Sequence, residues 1–215
     1  MKPGRLIAIG DIHGCSTALE RVLDAIAPRP DDTIVALGDY VNRGPDSRGV
    51  IERLLDLGKQ CILVPLLGNH DETFLDVLQG GLPLDGLLEM HGETTLDSYG
   101  YQGSLRVVPP EHVAFLASCR MLHETERHFF AHANYAPNIP LNEQSRLDLL
   151  WLSLRDSEPC EHFSKKRAIL SHTPQSNGVP LEREHFICID TGCVYGGVLT
   201  AFDVDNGILW QATNS

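Results

Sequence analysis

The stretch Leu6-Ile-Ala-Ile-Gly10-Asp11-Ile-His13-Gly14 joins a short apolar run to a polar loop, and the same pattern recurs twice further along the chain. Thr33 to Leu37 leads into the loop at 38–44, and Cys61 to Val64 leads towards the loop at 68–71. Each run is β-branched or aliphatic, which is typical of a buried strand. The recurrence predicts three strands that each end in a loop carrying reactive side chains.

Helical periodicity separates these runs. Apolar residues recur at helical spacing from Thr17 to Ile26 and again from Val50 to Leu57. Alternation of strands and helices predicts βαβ units, in which parallel strands are covered by helices. From Gln79 to Pro110 the composition turns to Gly, Leu and Pro, which predicts a loop and short-helix excursion over the sheet edge.

The second half of the chain is mostly strand-like, and we expect it to supply a second sheet. Asp205-Asn-Gly207 predicts a hairpin turn. The strand-like runs are 121–124, 127–131, 168–171, 186–189, 198–202 and 208–211. Since there is no repeat, low-complexity tract or linker, the sequence predicts one domain over residues 1–215.

Composition limits the function classes. Of 215 residues, 17 are basic and 29 acidic, which gives a formal net charge of -12. Such a charge argues against nucleic-acid or anionic-membrane partners that bind through a cationic surface. The six cysteines lack CxxC spacing, so we expect free, mostly buried thiols. The apolar stretch at 6–9 is too short for a signal peptide, and a cytoplasmic location is the default expectation.

The strand-end loops carry the ligand types of a metal centre. Asp11 and His13 stand two residues apart on extended backbone, so their side chains share a face and can hold one ion. Asp39 has a carboxylate able to bridge two ions, and the amide oxygen of Asn69 is a neutral ligand for the second. Two ions near the same strand ends are therefore expected.

Two further histidines have the same setting. His132 follows the apolar run Phe129-Phe-Ala131, and His172 follows the run at 168–171. The sequence thus predicts one site of Asp11, His13 and Asp39, and a second of Asp39, Asn69, His132 and His172. Mixed nitrogen and oxygen ligands suit manganese, with iron or zinc as alternatives, better than calcium.

A pair of divalent ions suits phosphate-ester chemistry. Two such ions bind phosphate oxygens and lower the pKa of a bridging water, which makes hydroxide available near neutral pH. The leaving oxygen then needs a proton. His70 is next to Asn69 but projects differently, and we predict that it is the general acid. The substrate would be a phosphorylated protein or a small phosphate ester.

Five ordered motifs resemble those of the calcineurin-like metallophosphoesterases, and more closely the bacterial phosphoprotein (Ser/Thr) phosphatase branch that includes the lambda-phage phosphatase. They are Gly10–Gly14, Gly38–Gly44, Gly68–Asp71, Phe130–Asn134 and Ser171–Pro174. Similarity extends over nearly the whole chain. The resemblance implies a four-layer α/β/β/α sandwich, two catalytic metals, and the ligand roles given above.

The chain departs from the family pattern at Asn42, where the family has an aspartate that hydrogen-bonds the catalytic histidine. We expect the amide carbonyl of Asn42 to orient His70 without stabilising its imidazolium, so the pKa of His70 should be lower than in relatives. By analogy with other catalytic histidines that lose their carboxylate, reduced activity is expected. His70, Asn42 and Asp39 are the predicted catalytic residues.

Phosphate binding is assigned to Arg43, by a bidentate fork, together with Asn69. Relatives supply further arginines, but Leu67 and Ser153 stand where two of them are usual. Arg155, two residues beyond Ser153, is the proposed substitute.

Two other functions stay open from the sequence. Symmetrical diadenosine tetraphosphatases share the Gly-Asp-x-His-Gly-Cys and Gly-Asn-His-Asp motifs, which end here in Cys15 and Asp71. A weakly active, metal-binding regulatory homologue is the third possibility, because of Asn42 and the missing arginines. Oligomeric state is left open.

Overall fold

Ten strands form two five-stranded sheets within residues 4–215, the residues that this computed structural model describes. The first three residues of the predicted domain 1–215 lie outside the described part. The strands are β1 (Leu6–Ile9), β2 (Thr33–Ala36), β3 (Ile62–Pro65), β4 (Leu122–Glu124), β5 (His128–Ala131), β6 (Arg167–Leu170), β7 (Leu181–Glu182), β8 (Phe186–Cys188), β9 (Leu199–Asp203) and β10 (Ile208–Ala212).

The first sheet has the strand order β10-β9-β1-β2-β3. Strands β1, β2 and β3 are parallel, with Ile7 opposite Ile34 and Ile34 opposite Leu63. The three parallel strands predicted from the apolar runs are therefore confirmed. Their carboxyl ends, and the loops that follow, lie along one edge of the sheet.

The last two strands correct one expectation. We predicted that the strands of the second half form the second sheet, but β9 pairs antiparallel with β1, and β10 pairs with β9. The physical reason is that β1 offers its free edge to β9, whose five residues are all buried. The hairpin at 204–207 then carries the chain to β10, an edge strand whose residues are exposed or partly exposed.

The second sheet has the order β4-β5-β6-β8-β7. Strands β5, β6 and β8 are parallel, whereas the outer β4 and β7 are antiparallel to their neighbours. The two-residue β7 was not predicted. The loops after β5, β6 and β8 therefore lie along one edge of this sheet. In the same way, the loops after β1, β2 and β3 lie along one edge of the first sheet.

Seven α-helices accompany the strands in the described residues. The helices predicted near 17–26 and 50–57 form, the second from an amino-terminal cap at Asp46 that accepts the Gly49 N–H. Short helices also fill the predicted excursion at 79–110. The helices are α1 (Ser16–Ile26), α2 (Ser47–Leu57), α3 (Asn69–Leu78), α4 (Leu84–Glu89), α5 (Glu93–Ser98), α6 (Pro110–Ser118) and α7 (Arg146–Leu150).

Three apolar clusters define the layers. One, which includes Ala8, Val35, Phe130 and Ile169, fills the space between the two sheets. A larger cluster packs the first sheet against α1 to α6, and a third covers the outer face of the second sheet with α7 and loops. The four-layer α/β/β/α sandwich is confirmed, with a fourth layer that is mostly loop.

All six cysteines are unpaired, and four of them are buried, as expected. None of the helices in residues 4–215 is both long and apolar enough to cross a membrane.

Candidate metal centre

The six predicted ligands converge where the strand-end loops of the two sheets meet. The loops after β1 and β2 supply the first three, the start of α3 after β3 supplies the fourth, and the loops after β5 and β6 supply the other two. All are buried except the last, which is partly exposed. They are Asp11, His13, Asp39, Asn69, His132 and His172.

Asp39 lies at the centre of this group. Its Oδ2 atom is 3.3 Å from Nε2 of His13 on one side and 3.6 Å from Nε2 of His132 on the other. Its Oδ1 atom accepts the backbone N–H of His70 at 3.0 Å, which fixes the carboxylate plane. One oxygen of Asp39 therefore faces both halves of the cluster, which is the arrangement that a bridging carboxylate requires.

His13, Asp11 and Arg43 lie on the first side. Nε2 of His13 is 3.9 Å from Oδ2 of Asp11, and a guanidinium N–H of Arg43 donates to the same Nε2 at 2.6 Å. The other ring nitrogen, Nδ1, lies 2.9 Å from the carbonyl oxygen of Val41. Since a carbonyl only accepts, Nδ1 of His13 carries the proton and Nε2 carries the lone pair.

Backbone carbonyls orient the two histidines on the second side in the same way. His132 directs Nδ1 to the carbonyl of Leu37 at 2.8 Å, and His172 directs Nε2 to the carbonyl of Trp151 at 3.2 Å. The remaining ring nitrogens lie 3.1 Å apart, and Nε2 of His132 is also 3.2 Å from Oδ1 of Asn69. These three atoms are all acceptors in the tautomers that the carbonyls impose.

This donor set fits a pair of cations. Backbone carbonyls orient all three histidines so that each presents a lone pair to the cluster, which is the usual support of metal-ligating imidazoles. On the second side, Nε2 of His132 lies about 3 Å from Nδ1 of His172 and from Oδ1 of Asn69 with no proton between them, which is repulsive unless a positive charge lies among them. Two groups of three residues are close enough to share an ion: Asp39, His132 and His172, which were predicted together, and His13, Asp39 and His70, in which His70 stands in place of the predicted Asp11.

Burial also sets the charge state of the cluster. It lowers the pKa of His13 to about 3, that of His132 to about 4 and that of His172 to about 3, so the imidazoles are neutral near pH 7. For Asp39, burial raises the pKa to about 7. The site keeps imidazole nitrogens unprotonated and makes carboxylate charge costly, and both effects favour bound cations.

Unusual backbone conformation concentrates here. Eight non-glycine residues of the described chain have positive φ, and five of them are predicted site residues: His13, Asp39, Asn42, Arg43 and His172. Left-handed backbone is costly for residues with a Cβ and clusters at functional sites. Gly38, at φ 102°, lets the β2 loop approach the β3 loop, because a Cβ there would lie 2.6 Å from the Gly68 nitrogen. Close contact between these two loops positions Asp39 against His70.

His70 lies beside the cluster, with its ring centroid 4.7 Å from that of His13. The Nδ2 amide group of Asn42 donates to Nδ1 of His70 at 3.1 Å, and Oδ1 of Asn42 accepts the Thr95 hydroxyl at 2.8 Å. We expected the amide carbonyl to face the ring, and that expectation is wrong because Thr95 occupies the carbonyl. Burial first, and His13 second, hold the pKa of His70 well below its usual range. The proton of neutral His70 is therefore on Nε2.

The two predicted arginines differ in position. Arg43 touches His13 and thus borders the cluster. Arg155 is exposed, and its guanidinium donates to the carbonyl of Pro174 at 2.6 Å. Within residues 4–215, no hydrogen bond or ion pair joins Arg155 to a predicted ligand, so the structure does not bring it into the site.

Two buried acids lie at the site without having been predicted as site residues: Asp190, and Asp71 of the Gly68–Asp71 motif. Asp190 lies against Asp11; burial, and then the charge of Asp11, raise its pKa. It follows β8 and the apolar run at 186–189, so the strand-end rule that selected Asp11 also identifies it. Asp71 accepts the N–H groups of Tyr40, Val41 and Gly68, which ties the β2 loop to the β3 loop.

Comparison with known proteins agrees with this geometry. The family model described as calcineurin-like phosphoesterase matches residues 4–195. The chain belongs to this family, and it is a metallophosphoesterase, a hydrolase of phosphate esters. Serine/threonine-protein phosphatase 1 of Salmonella typhimurium is 28% identical over 214 residues, covering 89% of this chain and 88% of the relative.

Other relatives have a different named activity. The symmetrical bis(5'-nucleosyl)-tetraphosphatase of Acidovorax sp. strain JS42 is 47% identical over 76 residues, which is 35% of this chain and only 26% of that protein. A crystal structure provisionally described as a diadenosine tetraphosphatase superposes with a TM-score of 0.73 at 25% identity, covering 98% of this chain and 94% of its own. A protein-tyrosine phosphatase of a Shewanella species shares the fold, with a TM-score of 0.70 at 15% identity, over 97% and 80% of the two chains.

Proposed function

We propose that this metallophosphoesterase is a dinuclear-metal-dependent phosphomonoester hydrolase that acts, like Ser/Thr protein phosphatases, on phosphorylated proteins or small phosphate esters. The observation that carries the proposal is the position of Asp39, whose Oδ2 lies 3.3 Å from His13 and 3.6 Å from His132. The match to the Salmonella phosphatase over 89% of the chain supports the substrate class.

The proposed ligands divide between two ions that share Asp39. Asp11 and His13 would hold one ion, and Asn69, His132 and His172 would hold the other, as the sequence predicts. Two bound divalent ions supply Lewis acidity and a water of lowered pKa. Manganese is the proposed metal, with iron or zinc as alternatives, because the ligands mix imidazole nitrogen with oxygen.

The chain's own residues supply binding and a proton. The Arg43 guanidinium reaches the edge of the cluster, where it donates to Nε2 of His13 in the structure. An ion held by His13 would take that lone pair, and the Arg43 N–H groups would then donate to a phosphate oxygen. Neutral His70 carries its proton on Nε2, since Asn42 donates to Nδ1, and the imidazolium form of His70 is the proposed proton donor to the leaving oxygen. Asn69 is also proposed to contact phosphate.

A second candidate is hydrolysis of diadenosine tetraphosphate. The identity of 47% over 76 residues with a symmetrical tetraphosphatase favours it. That segment is only 26% of the relative's length, so it supports the metal site more than the nucleotide specificity. A weakly active regulatory homologue stays a third reading because of Asn42. The cytoplasmic location stays a prediction.

Turnover assays separate these functions. The protein is incubated with manganese and, in parallel, with p-nitrophenyl phosphate, a phosphoserine peptide or diadenosine tetraphosphate. Hydrolysis of the first two at the higher kcat/KM supports the leading proposal, and preference for the third supports the nucleotide hydrolase. Metal binding without any turnover would replace both by the regulatory function.

A further inference from the structure

We propose that Tyr195 and Arg43 form a subsite for a planar aromatic ring carried by the substrate, next to the phosphate position. The proposal rests on phosphate-ester hydrolysis at the metal centre and adds the chemical class of the organic group. The ring could belong to a nucleobase or to an aryl ester, since both present a flat π-face to a stacking side chain.

Tyr195 is held as an exposed platform. It ends a short 3-10 turn, Cys193–Tyr195, and is bracketed by Gly192 and Gly196, both with positive φ. Its backbone N–H donates to the Gly192 carbonyl at 2.9 Å, as does that of Gly197 at 3.0 Å. Its side chain is nonetheless 62% exposed. A rigid turn therefore presents a large aromatic group to solvent.

Arg43 connects this aromatic group to the metal centre. Its Cζ atom lies 5.5 Å from the centroid of the Tyr195 ring, and its Nη1 lies 2.6 Å from Nε2 of His13. The guanidinium thus stacks with the tyrosine on one side and reaches a proposed metal ligand on the other. A phosphate bound by Arg43 would place its ester group within reach of Tyr195.

A cavity of about 330 Å³ lies at this place, lined by Arg43, His91, Val194 and Tyr195. Its volume is in the range of small-molecule sites. The Arg43 N–H donates to the His91 carbonyl at 3.0 Å, which holds two of the walls together. None of the four lining residues is acidic, although the chain carries a net charge of -12. Guanidinium, imidazole, aromatic and aliphatic groups together suit an aromatic ring attached to an anionic phosphate.

The first test measures selectivity. We compare kcat/KM of wild type and Tyr195→Ala for diadenosine tetraphosphate, p-nitrophenyl phosphate and O-phosphoserine, which has no ring. For at least one ring-bearing substrate, its kcat/KM relative to that of O-phosphoserine should fall about tenfold in Tyr195→Ala, equivalent to about 1.4 kcal/mol. Tyr195→Phe should keep both ratios within about twofold, because the π-face is retained.

The substrates whose kcat/KM falls in Tyr195→Ala identify the chemical class of the ring. A fall confined to the dinucleotide assigns a nucleobase, and a fall confined to p-nitrophenyl phosphate assigns an aryl group. Unchanged ratios for both would overturn the subsite while leaving phosphate-ester hydrolysis intact. Phe163→Ala, which removes another exposed aromatic ring on a loop distant in sequence, is the matched control.

Binding supplies a readout that does not need turnover. Calorimetric titration of the manganese-loaded protein with adenosine monophosphate, phenyl phosphate and inorganic phosphate gives three values of Kd. In Tyr195→Ala, the Kd of a ring-bearing ligand should rise about tenfold relative to that of inorganic phosphate; equal changes in all three would contradict the proposal. If no ester is hydrolysed, the proposed function fails and this titration still decides the subsite.

Discussion

The Nδ2 atom of Asn42 lies 3.1 Å from Nδ1 of His70, so the amide donates to the ring nitrogen. A carboxylate at this position would accept a proton from Nδ1 instead. The amide therefore fixes the opposite tautomer and leaves an imidazolium without a partner at Nδ1. This reversal of donor and acceptor sets the first prediction.

Asn42→Asp should raise kcat about tenfold. The carboxylate accepts the Nδ1 proton and stabilises the imidazolium, so it raises the pKa of His70. A general acid must be protonated, and activity falls as pH rises through its pKa; the alkaline limb of the kcat profile should therefore move to higher pH. The measurement is the pH–rate profile of both proteins, with Asn138→Asp on an exposed loop as control. An unmoved alkaline limb would refute the role assigned to His70.

Asp39→Asn should lose at least one metal and reduce kcat by about a thousandfold or more. The amide has no negative charge, and its Oδ1 cannot bridge two cations as a carboxylate does. Metal content per chain is measured by elemental analysis beside activity. The exposed Asp56→Asn should match wild type. Full activity of Asp39→Asn would exclude the dinuclear site.

Arg43→Ala should raise KM for phosphate esters about tenfold or more, because it removes charge-assisted hydrogen bonds at the edge of the cluster. Arg155→Ala should change KM less than about twofold, since its guanidinium donates to the Pro174 carbonyl. Steady-state kinetics on one substrate compare the two variants directly. An equal rise in KM in both variants would show that Arg155 also binds phosphate.

Thr95→Val should lower the free energy of unfolding by about 1 to 3 kcal/mol, because Oδ1 of Asn42 is buried and loses its donor. Thr95→Ser keeps a hydroxyl and should cost less than Thr95→Val. Urea denaturation measures both. Similar stability of the two variants would show that the hydroxyl does not hold the Asn42 amide.

Asp32 predicts a pH dependence of stability. Its buried carboxylate accepts hydrogen bonds from Arg5 and Arg29. Burial by itself would raise the pKa of Asp32, but these arginines outweigh it and hold the pKa well below its usual range. The folded-state pKa is below the unfolded one, so this stabilisation is complete above about pH 4 and is lost as pH falls towards the folded-state pKa.

Asp32→Asn should therefore be less stable than wild type by about 2 to 3 kcal/mol near pH 7, with a smaller difference below about pH 4. Unfolding by urea at several pH values gives the difference. Asp31→Asn, one residue away with a side chain that is 53% exposed, is the control and should lie close to wild type throughout. A pH-independent difference would rule out the charge of Asp32 as its cause.

Much of the site is predicted by one rule, namely that side chains directly after the carboxyl ends of parallel strands meet at one edge of the sheet. Local sequence gives the strand, and the geometry of parallel strands brings the following residues to one edge, so Asp11, Asp39 and His132 are found without the structure. Asp190 obeys the same rule, although it was not predicted as a site residue. Tyr195 follows no periodic pattern, and its role depends on Arg43, far away along the chain.

Longer-range choices could not be predicted. An asparagine can present either its oxygen or its nitrogen, and Thr95, 53 residues from Asn42, decides which one faces His70. The placement of β9 beside β1 is likewise a pairing between distant segments, and an apolar run shows only that a strand forms. In both cases the local sequence allows two arrangements, and tertiary contacts determine which one forms.

The division of the proposed ligands between two sheets gives the centre a mechanical role. Asp11, His13, Asp39 and Asn69 follow strands of one sheet, and His132 and His172 follow strands of the other. Ions bound by both sets would cross-link the two sheets at the edge of the sandwich, where the apolar core between the sheets ends. Metal release would then loosen the seam between the two halves, so catalytic competence and resistance to the opening of the sandwich would be lost together.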